Sequence, residues 1–157
     1  MHIRKPLAAF SLLELLLAVF VAAGIIFAVV RYFNIARENS RVAQATQMIN
    51  IVIRASYDWL EGKSNFNDLG SNGIQTLVNS NFLPPTFSSA TANPWRGTIQ
   101  VRAASNNQQI QLTLTNVPYT SCVQLSEQLK QQAAQNSANN PDIEPCSTSS
   151  NQFVGVF

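Results

Sequence analysis

The stretch "AFSLLELLLAVFVAAGIIFAVVR", Ala9 to Arg31, places a single acid, Glu14, inside a run that is otherwise apolar or small. From Leu15 to Val30 no residue is charged. With Phe10 to Leu13 included the run reaches about 20 residues, enough for a helix to cross the hydrocarbon core of a bilayer. A carboxylate at that depth costs on the order of 3 kcal/mol even on permissive insertion scales, so Glu14 calls for a partner. Gly24 falls mid-run at a cost of up to about 1 kcal/mol against Ala, either to let another helix approach closely or as a merely tolerated glycine.

Toward the C terminus no Pro or Gly interrupts the chain between Gly24 and Gly62. Val42, Ala45, Ile49, Val52, Ile53, Ser56 and Leu60 recur at three- and four-residue steps, the signature of an amphipathic helix. One helix is therefore predicted from Phe10 to about Glu61, roughly 78 Å long at 1.5 Å per residue. That exceeds what one core in a chain of 157 residues requires. Its first half is apolar on all sides and has to be surrounded by something else, a membrane or other subunits.

Toward the N terminus two export readings compete. In the first, "RK" (Arg4, Lys5) is the n-region of a secretory signal peptide cut after Ala23, and Glu14 is a chance charge. The product would be a signal-peptide-exported soluble periplasmic protein that begins "GIIFAVV", a poor start for a soluble chain. In the second, a short basic leader "MHIRKPLAA" is removed between Ala9 and Phe10 and the helix is kept.

On the second reading, "A/FSLLE" resembles the processing motif of the type IV pilin and pseudopilin family. Leaders in that family end in a small residue, usually Gly and here Ala9, followed by Phe or Met and a glutamate at the fifth mature position, here Glu14. The resemblance implies cleavage by prepilin peptidase, N-methylation of the Phe10 amine, and pairing of that ammonium with Glu14 of a neighbouring subunit. Such a pair specifies axial register more than it adds stability.

Beyond "EGKSN", Gly62, Gly70 and Gly73 punctuate a connecting region with a candidate helix "IQTLVNSNF", Ile74 to Phe82, ended by Pro84 and Pro85. "NPWRG", Asn93 to Gly97, reads as a turn that starts a strand. "TIQVR" and "IQLTLT" alternate apolar with polar residues and pair as an antiparallel hairpin across "ASNNQQ". One face of that hairpin would pack on Ile49, Val52, Ile53 and Leu60. A further helix is capped by Thr120 or Ser121 and makes its apolar contacts through Val123, Leu125 and Leu129, with "QQAAQNSANN" fraying into loop.

Cys122 and Cys146 are the only cysteines. In an oxidising compartment an even pair points to a disulfide, which would contribute about 3.5 kcal/mol in the loop-entropy model. A buried thiol with a free one, or half of a metal site, are the alternatives. His2, the single histidine, lies in the expected leader, so neither a histidine metal ligand nor the obvious general base remains. Asp58 with Glu61, and Asp142 with Glu144, read as solvated surface charges. No catalytic residue, metal site or cofactor is expected.

Ten basic residues face eight acidic ones, and loss of Arg4 and Lys5 would leave eight against eight. That balance is not the basic footprint of a nucleic-acid binder. "NPWRGTIQV", "LTNVPYTSC" and "CSTSSNQFVGVF" resemble, in order, landmarks of the type IVb branch. The resemblance implies an α+β fold in which an antiparallel sheet lies across the second half of a long helix, Phe153 to Phe157 forms a sheet strand, and the region between the cysteines meets neighbours or receptors. It divides the chain into a leader, 1–9, an apolar helix half, 10–33, and a head, 34–157. The implied function is a structural subunit of a type IVb-like pilus, a homo-oligomeric filament. It is held in the bacterial inner membrane as a precursor, handled there by the pilus assembly machinery and finally displayed outside the cell, where a host or cell-surface receptor is a possible partner. Alternatives are a minor or tip pilin, or a secretion pseudopilin, with an adhesive or DNA-capturing role.

Overall fold

The computed structural model describes residues 11–89, 93–135 and 141–157. They belong to two compact units, 1–37 and 38–157. Helix α1, Leu12–Leu60, contributes to both. Its first turn hangs on the Ser11 carbonyl, which accepts from the amides of Glu14 and Leu15 at 2.9 and 3.1 Å. At the other end Gly62 takes φ +82°, a left-handed conformation that a Cβ would penalise, and the Lys63 amide returns to the Leu60 carbonyl at 2.8 Å.

In the first unit the described residues are helical from Leu12 onward, and no large apolar side chain there is buried. In the second unit α1 buries one stripe: Val42, Ala45, Ile49, Val52, Ala55 and Trp59. Thr46 and Ser56 share that stripe because each hydroxyl donates to the carbonyl four residues back, Val42 at 3.0 Å and Val52 at 2.7 Å. A polar group can then be buried without going unpaired.

The stripe packs on a four-stranded antiparallel sheet of order β1-β2-β4-β3, formed by Ile99–Ala103, Ile110–Thr115, Gln152–Val156 and, at the edge, Asp142–Ile143. The predicted hairpin is present, with Ile99 opposite Leu114 and Val101 opposite Leu112. Period-two alternation puts Ile99, Val101, Ile110, Leu112 and Leu114 into the core together with Phe153. Ile53 and Leu60 pack against that core only partly buried. The terminal strand lies between β2 and β3, one residue earlier at each end than Phe153 to Phe157.

Three expectations are corrected. The helix read as Ile74 to Phe82 is α2, Gly73–Asn79, and stops before the prolines. Asn81 turns left-handed there (φ 61°), and the amides of Phe82 and Leu83 both fold back to the Leu77 carbonyl. The chain resumes as the short α3, Thr86–Ser89, after Pro85. Helix α4, Tyr119–Gln135, begins before Thr120 or Ser121 could cap it. Its first turn is closed by the Cys122 amide donating to the Pro118 carbonyl at 2.8 Å, while Ser121 is buried and its hydroxyl is engaged with Glu38 rather than with an amide of the first turn. Val123 stays 39% exposed, and the buried face of α4 is Ser121, Cys122, Leu125, Ser126 and Leu129. The helix includes "QQAAQ" up to Gln135, and the rest of the segment expected to fray lies outside the described residues.

Candidate functional site

Two features of the chain are built for something other than a closed core. The first is the apolar half of α1. Leu16, the least exposed large apolar side chain between Leu12 and Ile35, still keeps 49% of its surface open. The helix is long and apolar enough to cross a membrane. Glu14 lies in its first turn, exposed. Ala9 and Phe10, the expected cleavage and methylation positions, lie outside the described residues.

The second is a polar node at Glu38, the first residue of the second compact unit. Trp95 donates its indole Nε1–H to Glu38 Oε1 at 2.6 Å, Ser121 donates its hydroxyl to the same oxygen, and Arg41 Nη1 reaches Oε2 at 3.2 Å. Three elements converge: α1 supplies Glu38 and Arg41, α4 supplies Ser121, and the turn ahead of β1 supplies Trp95. Burial alone would push the Glu38 carboxyl up. The hydrogen bonds from Ser121, Trp95 and Arg41 and the charge of Arg41 outweigh it and hold the group below its ordinary value of 4.5.

The turn that delivers Trp95 is the predicted "NPWRG". Buried Asn93 organises it: its side-chain oxygen accepts from the amides of Trp95 and Gly97, both at 3.0 Å, and its amide nitrogen donates to the Thr115 carbonyl at 2.6 Å. Arg96 is left-handed (φ 62°), and a Cβ on Gly97 would collide with the Thr115 carbonyl. A tight turn with these contacts admits Gly and little else at that position.

Cys122 and Cys146 are joined, Cα to Cα 6.0 Å apart. The bond ties α4 to the segment between β3 and β4. Along α1, the same helix is held by a hydrogen bond between Thr46 Oγ1 and the Gln128 side-chain amide at 3.0 Å and by Asn50 Nδ2 donating to Gln132 Oε1 at 3.1 Å. On the head, Gln47, Asn50, Ile51, Arg54, Ala55, Asp58 and Phe82 line an open groove of about 460 Å³. Asp58, Glu61, Asp142 and Glu144 are exposed.

Glu14 belongs to the apolar unit and the cysteines to the head. The Glu38 node is absent from the sequence reading. Its one available signal is that Glu38 is the first acid after Glu14. Trp95 and Ser121, 57 and 83 positions away, reach it only through the fold.

A long helix, one half bare and apolar and the other packed on a four-stranded antiparallel sheet with one disulfide, defines a pilin-like α+β protein. A model of the family described as PilS N terminal matches residues 39–150, more than half of the chain, and the chain belongs to that type IV pilin-related family. The matched segment begins directly after Glu38 and so covers the head rather than the apolar half. No curated protein and no solved structure matches the chain. The protein is accordingly type IV pilus-related.

Proposed function

We propose that this protein is a structural subunit of a type IVb-like pilus. It enters the inner membrane as a prepilin, loses residues 1–9 to prepilin peptidase, and polymerises through α1 into an extracellular filament with the help of the inner-membrane assembly machinery. Its work is mechanical rather than catalytic. The observation that supports this most is the bare apolar half of α1 carrying one acid. A surface exposed all round a helix is stable only when enclosed, by lipid before assembly and by sister helices afterwards. Glu14 is tolerated there if each carboxylate meets the Phe10 ammonium of another copy.

N-terminal mass spectrometry of the exported protein tests the proposal. The expected mature chain starts at Phe10 with a methylated amine, and a chain starting at Gly24 would end it. Glu14→Ala should leave cleavage intact and reduce incorporation into filaments beside wild type. Normal incorporation would remove Glu14 from the register role.

A further inference from the structure

We propose that Arg31, Tyr32, Phe33 and Arg37 form a belt that binds the headgroups of anionic phospholipid at the far end of the apolar run. The inference rests on the reading that α1 is retained in a membrane before assembly. Leu12 to Val30 rises about 28 Å, close to the hydrocarbon thickness of a bilayer, so a helix with its start at one boundary delivers Arg31 to the other. Arg37 follows about 9 Å further out, within the headgroup layer.

The side chains suit that depth. The Arg31 guanidinium lies 5.6 Å from the centre of the Phe27 ring, and that of Arg37 lies 5.8 Å from the centre of the Phe33 ring. Both are four-residue steps, so each guanidinium itself lies over a ring one turn back along the helix, a cation–π contact. A guanidinium seated this way keeps in-plane donors for phosphate oxygens, which it can take two at a time. Among the described residues neither arginine enters a salt bridge, whereas Arg41 is taken by Glu38. Tyr32 and Phe33 are 76% and 59% exposed, and aromatic rings of this kind partition to the interface.

The arrangement around the helix selects the occupant. Consecutive positions are about 100° apart, so Arg31, Tyr32 and Phe33 fan across about 200° and Arg37, about 40° beyond Phe33, extends the arc to about 240° of the circumference. One docked protein covers a stripe, but a lipid shell covers every side. Zwitterionic lipid offers a phosphate neutralised by its own amine. Anionic lipid offers the same oxygens with net charge and complements two unpaired arginines better. Bound this way, the belt sets the depth at which a subunit waits for assembly.

The test reconstitutes the full chain into vesicles of phosphatidylcholine alone or mixed with phosphatidylglycerol. Flotation reports insertion, and native mass spectrometry after mild solubilisation reports which lipids stay bound. Wild type should float with both and retain phosphatidylglycerol above its bulk share. Arg31→Gln/Arg37→Gln should float equally well yet lose that enrichment, about fivefold per arginine removed. Arg31→Lys/Arg37→Lys should keep part of it, and salt should erode it. If wild type floats but retains the same lipid mixture as the glutamine variant, the lipid site is wrong and the membrane reading stands. If wild type floats with neither vesicle, both are wrong.

Discussion

Residues 12–37 and 42–59 of α1 share one backbone geometry and opposite fates. The first half keeps its large apolar side chains open, while the second buries Val42, Ala45, Ile49 and Val52 almost completely. Both are helical for local reasons, rich in residues that tolerate a helix and free of proline. The difference lies in pattern. Apolar side chains on every side demand an enclosing environment, whereas a three-to-four-residue stripe demands one packed face and finds it in the sheet. The changeover falls at Arg37–Glu38, where the first unit ends and the Glu38 node joins α1, α4 and the Trp95 turn.

The largest effect expected from breaking this contrast comes from matched truncations. Leu112→Ala, at a fully buried position, should cost the head about 2–5 kcal/mol. Leu17→Ala, at a position 64% exposed, should leave the unfolding of the detergent-solubilised monomer unchanged within about 0.5 kcal/mol. Thermal unfolding of both variants measures the difference, and equal losses would mean that the apolar half has a packed partner within its own chain.

A smaller effect tests how the head is held without the apolar half. Cys122→Ser/Cys146→Ser should lower the stability of the head by about 3.5 kcal/mol, the loop-entropy value for a bridge of this span. Denaturant unfolding with and without reductant measures it. Wild type under reduction should match the variant, and no loss in either would mean that the α4 contacts to α1 and the core suffice.

The smallest effect sharpens the boundary itself. Glu38→Gln keeps the shape and removes the charge, at a cost of about 1–3 kcal/mol from weakened charge-assisted bonds to Trp95, Ser121 and Arg41. The folded carboxyl titrates below its ordinary 4.5. Its stabilising contribution is therefore fully present above that value and is lost as pH falls through the folded one. Melting temperatures recorded downward from neutral pH should show wild type losing its advantage over Glu38→Gln below pH 4.5. A constant difference across that range would show that the node contributes packing rather than charge.

Much of this was legible in the chain. Periodicity alone separates the two halves of α1, and strict alternation in "TIQVR" and "IQLTLT" yields the hairpin, since helices and strands impose their repeats locally. "NPWRG" announces its own turn because Asn93 and Gly97 close it within five residues. Less legible was the start of α4, where Ser121 looks like a cap by residue type but serves Glu38 instead. Strand β3 is not legible because its two residues, Asp142 and Ile143, carry no repeat, and only pairing with β4 makes them a strand.

By itself, then, the sequence determined what depends on neighbours a few positions apart: a long helix with a bare apolar start, a lone Glu14, a hairpin, and a cysteine pair able to bridge. Tertiary structure alone decided where those pieces meet. It chose β4 rather than β3 as the neighbour of β2, brought Cys122 to Cys146, and assembled Glu38, Trp95 and Ser121. The physical reason is that a carboxylate is held by whichever donors the fold delivers to it, and no local pattern encodes a contact between residues 57 or 83 positions apart.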